Sequence, residues 1–159
     1  MSKVICFHNP SEENGYLSNW YHTCFYVDNI LFSSMEQYMM YHKALTFNNV
    51  SLANKILSIH DVKYIKQLGR EIKNYNETIW NGIRQLIVYK GALEKFTQVD
   101  FLKNKLLDTK DDILAECAVN DKIWGIGLSM DDPKRFDLNK WRGQNLLGFT
   151  LMKVRETLK

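Results

Sequence analysis

Residues 33–43 read SSMEQYMMYHK, a run rich in methionine and tyrosine that holds one glutamate and one lysine. The run predicts the first long helix. Ser33 or Ser34 supplies its cap, because a serine hydroxyl accepts a backbone N–H of the first turn. Glu36 and Lys43 stand seven positions apart, about two turns, so they share one face roughly 10 Å apart along the axis. Met40 lies between them, and Phe47 lies one turn beyond. Met35, Tyr38, Met39 and His42 form the other face. A helix so apolar all round belongs in the interior. An ionisable group there is costly unless it is paired, hydrogen-bonded or turned to a cleft. Glu36 and Lys43 are therefore the first residues to consider for chemistry. Each also has a local explanation. Ser33-x-x-Glu36 has the spacing of a capping box, as does Ser34-x-x-Gln37, and a lysine commonly extends its ammonium to solvent.

Around this run stand 159 residues, enough for one domain with a proper core. Hydrophobic residues make up 45% and charged residues 25%, the balance of a soluble globular protein. A net charge of +3 accommodates a phosphate-bearing ligand without marking a nucleic-acid surface. Cys6, Cys24 and Cys117 are odd in number, widely spaced and lack a CxxC pair. That argues against a disulfide framework or zinc site and for a reduced, cytoplasmic location. The N-terminal MSKVICFHNP lacks the apolar core of a secretory signal. No run reaches the length of a membrane span.

Lys3 to Phe7 predicts a strand ended by Asn9-Pro10. Cys24 to Val27 and Ile30 to Phe32 flank Asp28-Asn29, which predicts a hairpin. After the Ser33 helix, 51–58 and 61–69 predict two short helices, with Asp61 as a cap and Gly69 as a stop. Thr78 to Phe96 is the longest helical pattern. Ile79, Ile83 and Leu86/Ile87 form its apolar stripe, while Trp80 and Arg84 share an adjacent face. Residues 101–107 predict a helix, 113–117 a strand, and 124–128 (WGIGL) a loop in close contact with something. Residues 130–140 predict an exposed charged excursion, and 144–159 an amphipathic helix on Leu147, Leu151, Val154 and Leu158. No linker or repeat divides the chain, so 1–159 reads as a single domain.

Gly125 and Gly127 lack the third glycine and following helix of a dinucleotide-binding fingerprint. No P-loop, HExxH or GxSxG occurs, and the four histidines fall in unrelated elements. Trp20, Trp80, Trp124 and Trp141 each lie beside glycine, asparagine or a charged residue. Such faces suit a flat heterocycle, with arginines for phosphate. Large aromatics also fill cores.

Several stretches taken together resemble one family. They are YLSNWY at 16–21, EQYMMYHKA at 36–44, LGR at 68–70, KF at 95–96, Glu116 with DKIWGIGL at 121–128, and WRGQNLLGFTLMKVR at 141–155. In this order they resemble the NADAR, or YbiA-like, family over nearly the whole chain. Two loop positions depart from the pattern. Ala118-Val119 stands where Ser-Pro is common, and Lys110 where glycine is usual.

The resemblance implies an α+β fold, predominantly helical, around a small antiparallel sheet. It implies an N-glycosidase acting on a ribosyl–base bond, with two substrate classes left open. One is phosphoribosylamino-pyrimidine intermediates of riboflavin synthesis. The other is ADP-ribose on guanine in nucleotides or nucleic acid, for which the 130–140 excursion, with Lys134, Arg135 and Lys140, is the expected basic rim. Lys43 is then the nucleophile that traps C1 of the opened ribose as a Schiff base, and Glu36 moves protons and stabilises charge. Asp121 binds ribose hydroxyls or assists proton transfer. Trp80 and Trp124 wall the base pocket, Arg70 and Arg84 hold phosphate, and Asn145 orients the loop. Trp20 and Gly125 complete the substrate-binding set. The chemistry calls for no metal or redox cofactor, and no membrane partner is expected. The alternative is a non-catalytic module that binds ADP-ribose or a nucleotide.

Overall fold

The computed structural model describes residues 1–159. The chain divides into two compact units: His22–Gln98, and a discontinuous unit made of Met1–Tyr21 and Val99–Lys159. The architecture is α+β: six α-helices with two small strand pairs. No helix is long and apolar enough to cross a membrane.

In the first unit, β2 (Phe25–Val27) and β3 (Ile30–Phe32) form the expected antiparallel hairpin. Asp28 and Asn29 adopt φ of 50° and 67°, the left-handed pair that a tight two-residue turn demands. Phe25 pairs with Phe32 across the ladder and both are buried, while Tyr26 and Leu31 form the exposed pair.

Helix α1 (Met35–Thr46) packs against β3 and against α2 (Val50–Leu57), α3 (Val62–Gly69) and α4 (Glu77–Gln98). This accounts for its methionines and tyrosines: every residue from Met35 to Tyr41 is buried. Ser34 is the cap, its Oγ accepting from Gln37 N at 3.1 Å. Gln37 Oε1 reaches back to accept from Ser33 N at 2.8 Å. Gln37 Nε2 donates to the carbonyls of Ile56, Leu57 and Ile59, tying down the end of α2. Gln37, not Glu36, therefore fills the capping-box position. Asp61 caps α3 through Lys63 N and Tyr64 N. Gly69 is its last residue, and a side chain there would collide with the Met40 sulfur.

Helix α4 buries a different face from the one its aliphatic residues suggest. Ile79 is 51% and Leu86 70% exposed. The buried stripe is Trp80, Arg84, Val88, Gly91, Ala92, Lys95 and Phe96. It has helical spacing, but two cations interrupt it, so hydrophobicity alone points to the wrong side. Gly91 is required by the Tyr38 ring, which passes where a Cβ would lie. The Tyr38 hydroxyl donates to Ile87 O at 2.8 Å.

The second unit holds β1 (Val4–Phe7), α5 (Asp100–Asp108), β4 (Ile113–Glu116) and α6 (Leu146–Leu158). Strands β1 and β4 pair in parallel, with Val4 opposite Ile113 and Phe7 opposite Glu116. The expected single antiparallel sheet is thus one antiparallel hairpin and one parallel pair. A parallel pair needs a long crossover, which the intervening chain supplies. Helix α6 packs on β4 and on α5. At Gly148 an added Cβ would collide with Leu114 O. The 130–140 excursion forms two 3-10 turns, Pro133–Phe136 and Leu138–Lys140, capped by Asp132 and Asp137. Lys110 stands at φ 51°, a conformation glycine adopts without strain.

Candidate active site

Glu36 and Lys43 are placed by α1. The Ser34–Gln37 cap sets the helix start, with Gln37 in the capping-box position. Glu36 is 4% exposed, and Lys43 is half-buried. The Lys43 ammonium lies 4.8 Å from the centre of the Tyr75 ring and 5.9 Å from that of Trp80. Its Nζ donates to Gly69 O at 3.4 Å, a long bond to the C-terminal end of α3. Burial lowers the Lys43 pKa from its ordinary 10.5; Glu36 pulls it up, and Arg70 adds to the lowering. Burial is the strongest of the three, so the neutral amine is favoured relative to an exposed lysine.

The first turn of α4 completes this group. Asn76 Oδ1 accepts from Ile79 N at 3.0 Å, which fixes the helix start and with it Trp80 four residues on. Trp80 is buried. Arg84, one turn further, donates from Nη1 to Asn81 Oδ1 at 2.7 Å. Its Nε is buried without a hydrogen-bond partner. A buried guanidinium with a spare donor suits an anionic group. Arg70, exposed at the end of α3, adds a second cation. Within this unit the structure therefore gathers Glu36, Lys43, Arg70, Trp80 and Arg84. It adds Tyr75, which packs edge-on against Phe47 at 5.3 Å; burial and then Glu77 raise the pKa of its hydroxyl, with Arg84 pulling the other way. Sequence reasoning missed Tyr75, since it follows Asn74 (φ 59°) in an irregular stretch with no periodicity to mark it.

Asp121, Trp124, Gly125 and Asn145 form a second group in the other unit. Asp121 Oδ1 accepts from Ile123 N at 3.0 Å and Trp124 N at 2.9 Å, folding the loop on itself. Gly125 has no room for a side chain, since a Cβ would meet the carbonyls of Asp121 and Glu116 at 2.9 Å. Asn145 is fully buried. Its Oδ1 accepts from Glu116 N at 3.0 Å and its Nδ2 donates to Leu114 O at 2.8 Å. Its own N–H donates to Gly125 O at 3.0 Å. Both ends of its amide are engaged by backbone, so Asn145 positions the loop instead of presenting a substrate contact. Trp20 lies in the N-terminal segment, where its N–H donates to Ser18 Oγ.

A model of the NADAR domain matches residues 6–159. This chain belongs to the NADAR family. It is 39% identical to an N-glycosidase of Acanthamoeba polyphaga mimivirus over 97% of this chain and 95% of that protein. It is 32% identical to a riboflavin biosynthesis protein of Vibrio vulnificus, where the match spans all of this chain but 40% of the relative. The NMR structure of Escherichia coli YbiA superposes with a TM-score of 0.82 at 26% identity, covering 99% of this chain and 86% of that one. Escherichia coli YbiA is itself named an N-glycosidase. The KF pair at 95–96, part of the NADAR resemblance, proves structurally unusual: Lys95 is 1% exposed.

Burial pushes the Lys95 ammonium from its ordinary 10.5 down to about 7. Between those values the unfolded chain holds a proton that the folded chain has shed, so stability rises with pH across that window. The lowered Lys43 acts in the same direction. Tyr16 and Tyr38, both raised by burial, oppose it only above about pH 10. The urea midpoint of the wild-type protein is expected to climb from about pH 7 to about pH 9, and much less in Lys95→Met. A flat or falling wild-type midpoint over that range would contradict this account.

Proposed function

We propose that this N-glycosidase releases a base from C1 of a phosphoribosyl or ADP-ribosyl group through an imine on Lys43. The neutral Lys43 amine attacks C1 as the C1–N bond to the base breaks. One amine proton passes to the departing base, with Glu36 as the relay, and the other ends on the ring oxygen as the sugar opens. Water then adds to the imine, frees the aldehyde sugar and restores the amine. Trp80 and Tyr75 supply faces for the base or the cationic carbon. Arg70 and Arg84 hold phosphate. The riboflavin biosynthesis relative supports a phosphoribosylamino-pyrimidine substrate. An ADP-ribosylated guanine presents the same C1–N bond and remains within the proposal.

The observation that carries this reading is a half-buried lysine, its ammonium disfavoured by burial, on the same helix as a buried glutamate whose charge acts on it. Borohydride added during turnover is expected to leave one reduced sugar adduct on the peptide bearing Lys43. Turnover with no adduct, or an adduct elsewhere, overturns the imine. Incubation with ADP-ribosyl guanosine and with the pyrimidine intermediates, followed by assay of free base, separates the substrate classes. Tight ADP-ribose binding with no base released would favour the non-catalytic binding module.

Glu36→Gln keeps the shape and leaves the Ser34–Gln37 cap intact. It is expected to lower kcat by about 10²-fold or more, the usual contribution of general acid–base catalysis. Full activity in Glu36→Gln would assign the proton relay to another group.

A further inference from the structure

The three cysteines are free; Cys24 is exposed, while Cys6 and Cys117 are buried. Cys6 lies on β1 opposite Ala115 of β4. Side chains alternate along a strand, so Cys117, two residues beyond Ala115, returns to the face that Cys6 occupies. Its N–H still donates to Phe7 O at 2.8 Å, holding its backbone against β1 just past the last residue of β4. The two thiols share one apolar cluster with Ala115, Ile126 and Leu128, bordered by Met130 and Trp141. Trp141 in turn donates from Nε1 to Arg135 O at 2.8 Å. The Nε of Arg135 is buried without a hydrogen-bond partner.

We propose that Cys6 and Cys117 form a dithiol that hydroperoxides oxidise to an intrachain disulfide. A thiolate is the reactive form of cysteine, and nearby cations favour it. Cys6 is held below the ordinary thiol range, first by its interaction with Cys117 and then by the charge of Arg135, against the opposing effect of burial. Cys117 is pushed upward by Cys6 and by burial. Cys6 is therefore the attacking sulfur and Cys117 the resolving one.

The Cys6 thiolate attacks one oxygen of the hydroperoxide. The O–O bond breaks, the alkoxide or hydroxide leaves and takes up a proton, and Cys6 becomes a sulfenic acid. The Cys117 sulfur then attacks the Cys6 sulfur. The S–O bond breaks, and the hydroxyl departs as water with the Cys117 proton. Two thiols have lost two electrons, and the peroxide has gained them. Anionic sulfur at Cys6 beside Arg135 also offsets part of the cost of that guanidinium's buried, unpartnered N–H. The product ties β1 to the root of the loop that carries Asp121 and Trp124.

The test uses the full chain with Cys24→Ser, which removes the exposed thiol and leaves the pair native. One equivalent of hydrogen peroxide is expected to lower the intact mass by two hydrogens. The thiol count falls from two to none, and a digest yields a peptide joining residues 6 and 117. Dithiothreitol reverses all three changes. In the same background Cys117→Ser is expected to stop at a sulfenic acid that dimedone captures on Cys6. Retention of both thiols, or addition of oxygen mass without a joined peptide, overturns the proposal. The joined peptide is sought in a protein whose Cys6 and Cys117 are both intact, so the result does not depend on how a serine is tolerated in the core.

Discussion

Lys43→Ala is expected to abolish base release, lowering kcat by about 10⁴-fold or more, the scale seen when a nucleophile is removed. Borohydride should then leave no adduct on the protein. The same substitution should barely disturb the fold. Lys43 is only half-buried, and its one hydrogen bond to protein, to Gly69 O, is long at 3.4 Å. Removing an ammonium whose charged form burial disfavours costs little stability and can even add some. The informative pairing is therefore lost turnover with an unchanged thermal midpoint. Lys43→Arg sharpens the test, since it retains charge and contact with Tyr75 and Trp80 but cannot form the imine. If Lys43→Arg turned over at the wild-type rate, the lysine would be a binding cation and the chemistry would need another nucleophile. Loss of substrate affinity with kcat intact in Lys43→Ala would point the same way.

The second large effect is on stability. Asn145→Ala strands Glu116 N and Leu114 O, the two backbone groups that its amide now satisfies. Each buried unsatisfied group costs about 1–3 kcal/mol. Asn145 also sits at φ 53°, where alanine adds about 1–2 kcal/mol of strain. Together these predict a loss of about 3–8 kcal/mol, and a thermal midpoint lower by about 10 °C or more for a chain of this size. Asn145→Gly removes the strain but not the lost hydrogen bonds, so it should be the milder variant by about 1–2 kcal/mol. Calorimetry on the three proteins gives the comparison. If Asn145→Ala melts within a degree or two of wild type, Asn145 does not hold β4, the loop and α6 together.

Local signals carried much of the fold. Asp61 and the Asp28-Asn29 pair act within four residues of themselves, so a cap or a turn can be read where it stands. The Leu147, Leu151 and Val154 stripe of α6 is buried as its spacing predicts. Helix α1 was legible because no solvent face could be drawn for it, and it proved to be the packing centre of its unit. The failures all involve partners distant in sequence. The buried face of α4 is defined by Tyr38 over Gly91 and by two cations that no hydrophobic pattern would place inside. Pairing of β1 with β4 joins residues about a hundred positions apart, and neither strand announces whether its neighbour runs parallel.

The candidate site divides along the same line. The sequence by itself determined which groups are present: a glutamate and a lysine two turns apart on one helix, arginines at 70 and 84, a tryptophan at 80. It also carried the family resemblance. Only the tertiary structure decided which of Ser33 or Ser34 caps α1. It also brought Tyr75 over the lysine and turned the Asn145 amide wholly to backbone. The reason is physical. A side chain's identity is written locally, but its pKa, its burial and its free lone pairs depend on what packs against it. Those neighbours arrive from other elements: Gly69 and Arg70 from α3, Tyr75 from the turn before α4, Trp80 from α4 itself.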